Sequence, residues 1–377
     1  MILVEAGPSG PPALFSDPRE VVVVESAVDL APALSRLDAA RGAGAWLAGF
    51  VAYEAGLVFE PRLAPLMRGT GPLLVMGIFD GPQDARPLLA QSAQEAPLAR
   101  ITAPEPQVSR AAHEAAVARV LELIAAGDCY QVNLTFPLPA QRLTGSNLGL
   151  YGALRAPGAP GHGAFVDLGA GPVVASFSPE LFFRLDAGGR ITARPMKGTR
   201  PRGTDPDEDA RLAADLRESA KDRAENLMIV DLLRNDIGRI ARAGTVQVPA
   251  LHVVEHYPTV HQMTSTIKAD LAGPPTLAGL LPALFPCGSV TGAPKVRAME
   301  IIAGLEPAPR GVYCGAVGWM GPDGSADFSV AIRTLSIKGD EITLNVGGGI
   351  VMGSTPSGEW EEALWKTRFA QAAVRPD

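Results

Sequence analysis

The chain has 377 residues, 47% of them hydrophobic and 19% charged, with a formal net charge of −7. That length and apolar content suffice for one large core or two coupled ones. The lack of a Lys/Arg stripe disfavours nucleic acid as a partner, and no apolar run reaches the ~18 residues of a membrane helix.

The opening MILVEAGPSG has no basic start before an apolar stretch, so no secretion signal is expected. Over residues 1–80, VVVVES (21–26), AWLAGFVAYEAG (45–56) and LLVMGIF (73–79) read as strands, and AVDLAPALSRLDAA (27–40) has helical spacing. Residues 81–108, rich in Pro, Ala and Gln, show no clear period and read as a connection or a weakly ordered edge. Ser109 is placed to cap a helix through about Ala126, with Val117, Val120, Leu121 and Ile124 on one face and Gly127 ending it. Strands are predicted near 129–138, 163–167, 172–177, 181–186 and 190–195. RPRGTDPDEDA (200–210) reads as a loop, followed by one long helix from about Glu208 to Ala241. Pro294 opens a helix that stops at Gly304. Strands over 312–320, 327–337 and 341–347 and a helix over about 356–373 complete the chain. Strands in runs with helices grouped between them predict α+β.

The three cysteines, Cys129, Cys287 and Cys314, are odd in number and show no CxxC spacing. This disfavours disulfides and zinc and fits a reducing cytoplasm. Only six lysines stand against 27 arginines. A chain that prefers arginine so strongly keeps lysine where arginine cannot serve, and nucleophilic amine chemistry is one such task. Lys197 lies in ARPMKGTR (193–200), between stiff and permissive neighbours. A lysine amine at the reference pKa of ~10.4 is only about 0.04% neutral at pH 7, so a nucleophilic lysine needs desolvation or a neighbouring cation.

Asp222 and Glu225 are one helical turn apart, and Glu359 and Glu362 repeat that spacing, with Lys366 four residues on. Two such pairs suit a hard cation that takes few protein carboxylates and keeps its waters. On spacing alone, ordinary helix-surface charge, with Glu362–Lys366 as an i,i+4 pair, is the commoner account of them. In NVGGGIVMGS (345–354) three successive glycines either cradle an anion with their N–H groups or make a bulge or tight turn. SVTGAPK (289–295) lacks the GK[ST] of a phosphate loop, though a Gly-rich helix entry still suits an anion. Arg333, mid-strand among apolar residues, needs an anionic partner from protein or ligand.

Taken in order, YQVNLT (130–135), SPE (178–180), RPMKGTR (194–200), KDRAENLMIVDLLRND (221–236), HQMTS (261–265), GSVTGAPK (288–295), YCGAVGW (313–319), DFSVAIRT (327–334), GGGIV (347–351) and EWEEALWK (359–366) resemble the chorismate-utilising enzymes. The likeness is dense over 108–377 and looser before it, through GFVAYEAG (49–56). It implies an α+β fold like that of anthranilate synthase component I, with two facing, largely antiparallel sheets flanked by helices. Residues 1–107 would form the N-terminal part of one interlocked unit with a connecting segment, and 108–377 its chorismate-binding catalytic region.

Position 197 separates the branches of that family. Anthranilate-forming relatives usually carry PIAGT, whereas relatives that form aminodeoxychorismate carry PIKGT, which PMKGT resembles. Isochorismate- and salicylate-forming relatives place a water-activating lysine where Gln131 stands. The resemblance implies that the Lys197 amine attacks C2 of chorismate as the C4 hydroxyl leaves, protonated by Glu180. Ammonia then attacks C4 and expels the lysine, giving 4-amino-4-deoxychorismate on the 4-aminobenzoate route to folate. Mg²⁺ would hold the ring carboxylate, bound by Glu225 and Glu362 directly and by Asp222 and Glu359 through water. Arg333, Tyr313, the Gly347, Gly348 and Gly349 backbone and Lys366 match positions that hold substrate carboxylates. His261, Thr199, Thr291 and Gln131 match pocket residues near the ring. No glutaminase signature surrounds any cysteine, so a separate glutaminase subunit would supply ammonia from glutamine.

Two other readings remain. Anthranilate synthase component I is disfavoured by Lys197. A non-catalytic relative that only binds a glutaminase is disfavoured by Glu180, Lys197, Glu225 and Glu362 standing together. Met196 replaces the usual Ile, Asn226 stands where relatives often have His, and VVES (23–26) is a poor copy of the LLES stretch that binds tryptophan in anthranilate-forming relatives.

Overall fold

The computed structural model describes residues 1–69, 71–257 and 260–374. Two ten-stranded sheets face each other. In the first, the strands run in the spatial order 292–293, 131–144, 341–351, 334–338, 173–176, 164–166, 2–4, 13–15 and 83–84, with 100–101 paired to the side of 131–144. In the second, the order is 196–201, 260–270, 190–194, 181–185, 326–330, 316–320, 46–51, 74–79 and 20–24, with 247–256 paired to 260–270. Neighbouring strands within both sheets are antiparallel. The N-terminal strands extend both sheets, so the first third of the chain is built into the same sandwich as the rest.

Between the sheets, at the end carrying the N-terminal strands, lies an apolar cluster that includes Ile2, Phe15, Phe50, Val75, Phe79, Val166 and Trp319. A second cluster joins the outer face of the first sheet to the helices Arg86–Glu95, Asn147–Arg155 and Pro356–Trp365. A third joins the second sheet to Ala27–Gly42, Ala220–Gly238, Leu277–Leu284 and Lys295–Leu305. Among the described residues no helix is long and apolar enough to cross a membrane.

Several elements depart from the sequence expectations. Residues 81–108 hold the helix Arg86–Glu95, buried through Leu88 and Ser92 on a narrow stripe too small to give a clear period. The helix Asn147–Arg155 and the hairpin Gln247–His256/Val260–Asp270 carry no expectation at all. The single helix expected over 208–241 is two, Pro206–Glu218 and Ala220–Gly238. Ser219 separates them, with ψ at 108° and its hydroxyl accepting from the Asp222 N–H. That is an N-cap, so the second helix begins afresh and its first turn carries Asp222. The loop expected over 200–210 is the end of the strand Met196–Pro201 and the start of the first helix, which Asp205 caps.

The strand expected over 327–337 breaks at Arg333, whose φ is +49°. Ala326–Val330 belongs to the second sheet and Thr334–Lys338 to the first, so the chain changes sheets there. It also changes sheets between Val173–Ser176 and Leu181–Leu185. The two crossings lie side by side: Phe177 N–H donates to Arg333 O at 3.0 Å, and Val330 N–H to Glu180 O at 3.1 Å. A chain passing between two sheets turns its side chains into the space between them, and here those include Glu180 and Arg333.

Candidate active site

At the end of the sandwich away from the N-terminal strands, the sheets part around a cavity of about 630 Å³. Its walls are the strands 131–144 and 341–351 on one side, Met196–Pro201 on the other, the two crossings, and the helices Ala220–Gly238 and Pro356–Trp365 at the mouth. Lys197, Glu180, Thr199, Arg333, Tyr313, Gly347, Gly349, Lys366, Asp222, Glu225, Glu359 and Glu362 all line it. These residues lie up to 186 positions apart in sequence, from 180 to 366.

Lys197 owes its place to a β-bulge. Met196 is in register with Thr264 and Thr199 with Gln262, so Lys197 and Gly198 together oppose the single Met263. An extra residue bends a strand and re-aims its side chains. Gly198 has φ +84°, and a Cβ there would come within 2.9 Å of the Asp222 side chain. Only glycine satisfies both conditions. The lysine amine has no carboxylate partner among the described residues. It lies close to Gly349, where both Lys197 Nζ and Gln131 Nε2 would be 3.1 Å from an added Cβ.

Glu180 is 5% exposed and one of its carboxylate oxygens has no hydrogen-bond partner among the described residues. Burial raises its pKa, while the Ser289 hydroxyl and the charges of Lys197 and His162 pull it down. A carboxyl with a raised pKa keeps its proton toward neutral pH, as a general acid must. Ser178 fixes this turn, donating to Val330 O at 2.6 Å and accepting from the Glu180 N–H at 3.1 Å.

Four carboxylates stand at the mouth. Burial raises the Glu225 pKa and neighbouring Asp222 and Glu362 raise it further, against Lys197 and Lys221. Burial and then Glu362 act likewise on Glu359. Glu362 is held low chiefly by Lys366, whose amine lies 2.9 Å away and also donates to Gly347 O at 2.7 Å. Asp222 takes Arg200 at 3.0 Å. A Cβ at Gly348 would come within 2.9 Å of Glu359 Oε2 and 3.7 Å of Glu362 Oε1, so a bare backbone is needed beneath these carboxylates. Among the described residues no three His, Cys, Asp or Glu side chains close into a ligand set. The donor chemistry nevertheless fits a hard divalent cation: all-oxygen, mutually repelling, and open on the cavity side where water and a ligand complete the shell.

Arg333 has no carboxylate partner among the described residues, and desolvation lowers its pKa. A cation left so inside a cavity is suited to an anionic partner. Tyr313, 8% exposed, lies on the same wall.

The family described as chorismate binding enzyme matches residues 15–372. The chain belongs to the chorismate-binding enzymes. It is 48% identical over 256 residues to aminodeoxychorismate synthase component 1 of Escherichia coli K12, covering 66% of this chain and 54% of that protein. It is 44% identical over 259 residues to anthranilate synthase component 1 of Streptomyces coelicolor, covering 69% and 50%. The chain thus spans about half the length of these relatives. Among solved structures it resembles anthranilate synthase component I from Streptococcus pneumoniae, at 27% identity with a TM-score of 0.80, covering 95% of this chain and 91% of that one.

The other site residues expected of a chorismate-binding enzyme are placed less directly. Gly348 backs the carboxylates rather than lining the cavity. The three glycines form neither turn nor loop but continue the strand Glu341–Val351, in register with 133–135. Gln131 is fully buried behind Gly349, with both side-chain polar atoms unpartnered among the described residues. Thr291 is also fully buried and donates to the carbonyls of Cys287 and Gly288, which closes the 287–291 turn instead of facing the cavity. His261 points the other way, to Asp209 at 2.9 Å and His256 at 2.7 Å. Strand alternation explains this: the cavity side of 260–270 takes Gln262. Lys295 pairs with Asp236 at 2.6 Å, a structural role outside the cavity.

Sequence reasoning missed what supports the floor. Arg310 and Glu306 form a fully buried pair at 2.7 Å. Arg310 donates to Val290 O and Asn133 O, Glu306 accepts from Thr135 N–H and Oγ1, and the Tyr53 ring lies 4.4 Å from the guanidinium. Asn133 and Val290 line the cavity, so this pair ties two of its walls together. The i,i+4 spacing of Glu306 and Arg310 was the only signal, and a surface pair gives the same one.

Proposed function

We propose that the chain aminates chorismate to 4-amino-4-deoxychorismate, using ammonia that a separate glutaminase subunit releases from glutamine. The observation that carries this reading is the Lys197 amine on its bulge, lining the same cavity as buried Glu180. Relatives named component 1 support a partner subunit.

The ring carboxylate would face the cation at Glu225 and Glu362, with Asp222 and Glu359 acting through water. Mg²⁺ there would neutralise that carboxylate. Arg333, Tyr313, Lys366 and the glycine strand would hold substrate carboxylate, fixing the ring between Lys197 and Glu180. The Lys197 amine forms a bond to C2, the ring double bond shifts, and the C4–O bond breaks. Glu180 gives its proton to the departing hydroxyl, which leaves as water. Ammonia then bonds to C4, the double bond shifts back, and the C2–N bond breaks, returning the amine. A proton from the added nitrogen goes back to Glu180, so the enzyme is regenerated and the enolpyruvyl group is retained. The product feeds 4-aminobenzoate and folate formation in a cytoplasmic pathway.

Incubation with chorismate, ammonium and Mg²⁺, followed by mass identification of the product, tests this. The aminated ring with its enolpyruvyl group intact is expected. Anthranilate with free pyruvate would move the chain to the anthranilate branch, to which its Streptomyces relative belongs. Unchanged chorismate would leave a protein that only binds.

A further inference from the structure

The family resemblance assigns no role to Gln262, yet its side chain holds the segment that carries Lys197. A bulge of two residues against one leaves the widened strand short of ladder partners. Here the unmatched pair is Lys197–Gly198 against Met263. Gln262 fills the gap on the cavity side. Its Nε2 donates to Gly198 O at 2.9 Å, and its Oε1 accepts from Thr199 Oγ1 at 2.9 Å. The Asp222 side chain also packs so close to Gly198 that no Cβ fits there. The segment after the lysine is therefore held by two hydrogen bonds with one amide. A primary amide suits this grip because it offers a donor and an acceptor on adjacent atoms. Leucine offers neither, and glutamate offers no donor to the carbonyl. Without the grip, the strand can relax toward regular register, and a one-residue slip turns a side chain to the opposite face.

We infer that Gln262 is a positioning residue that locks the bulge and so aims the Lys197 amine into the cavity. The kinetic arm below rests on the proposed amination; the labelling arm does not.

The test compares wild type with Gln262→Leu, Gln262→Glu and Thr199→Val. With chorismate, ammonium and Mg²⁺, Gln262→Leu is expected to lower kcat by ~10- to 100-fold, the scale of a small misplacement of a reacting group. KM for chorismate and the thermal midpoint should stay close to wild type. Gln262→Glu should lose at least as much, because it faces the Gly198 carbonyl with a second acceptor. Thr199→Val, which removes one of the two bonds, should lose less than either. In parallel, the acetylation rate of Lys197 is read by peptide mass spectrometry without substrate, with exposed Lys338 as internal reference. That ratio should change severalfold in Gln262→Leu. Unchanged kcat together with an unchanged ratio overturns the assignment. So does a loss of kcat that merely follows a loss of folded protein. A wild type that makes no aminated product, while the labelling ratio still responds to Gln262→Leu, refutes the amination and leaves the clamp standing.

Discussion

The same two sheets are filled in opposite ways at their two ends. Where the N-terminal strands extend them, their facing surfaces close on aromatic side chains: Phe15 lies 5.5 Å from Phe79 and 6.0 Å from Trp46, and Trp46 lies 5.8 Å from Trp319. At the other end the sheets part, and the facing positions carry Lys197, Glu180, Arg333, Tyr313 and two asparagines. An apolar interior is dense and stabilising. A polar one is costly unless its groups find partners. Here Glu180, Gln131 and Asn345 each keep a buried polar atom unpartnered among the described residues. The closed end thus supplies stability that the open end gives up.

Substitutions at the two ends should therefore separate rate from stability. Lys197→Ala is expected to lower product formation with ammonia on the order of 10³-fold or more, as loss of a nucleophile does. The folded protein should melt as before, because that amine has no carboxylate partner among the described residues to lose. An unchanged rate would remove the lysine from the chemistry. Phe50→Ala should do the reverse. Phe50 is fully buried in the aromatic end, so its truncation is expected to cost about 3–5 kcal/mol in urea unfolding. The surviving folded molecules should retain wild-type kcat; a proportionate loss of kcat would show that the two ends are mechanically coupled.

A smaller effect is expected at the mouth. Gly348→Ala places a methyl against Glu359 Oε2 and beside Glu362. It should weaken Mn²⁺ binding roughly tenfold, the size seen when groups supporting a metal's ligands are displaced. Electron paramagnetic resonance titration without chorismate reads this directly. Unaltered affinity would detach these carboxylates from cation binding.

The contrast also explains what was legible in the sequence. Local devices were readable: the Ser109 cap, which accepts from Ala112 N–H, and the Gly127 stop at φ +82° lie where expected. Asp222 and Glu225, and Glu359 and Glu362, line one cavity because helical spacing is local information. The sheet change at 331–333 was not readable, because residues 327–337 contain no glycine or proline to mark a break and a positive φ at arginine leaves no compositional mark. The Lys197 bulge is set by register against a strand more than sixty residues away. His261 was expected in the pocket near the ring, whereas the structure puts its neighbour Gln262 on the cavity side. Adjacent strand positions face opposite sides, and motif matching alone does not say which faces the cavity. The motif order identified the family; only the pairing of distant strands decided which atoms meet.

The subtlest test of the open end is a pH profile. In the proposed reaction Glu180 acts as an acid only while protonated, so activity should fall as pH rises through its pKa. Burial moves that pKa up from the ordinary carboxylate value. The Ser289 hydroxyl works against burial, because a donor to the carboxylate stabilises the charged form. Ser289 is itself held by a 3.2 Å contact with Cys287 Sγ and is 4% exposed, so water does not readily replace its hydroxyl. Ser289→Ala removes a stabiliser of the anion and leaves the desolvation in place. The Glu180 proton is then held more tightly, and the alkaline limb of the kcat profile should move to higher pH. A limb that stays in place would assign the proton transfer to another group. A shift to lower pH would mean that water enters the gap and solvates the carboxylate better than serine did.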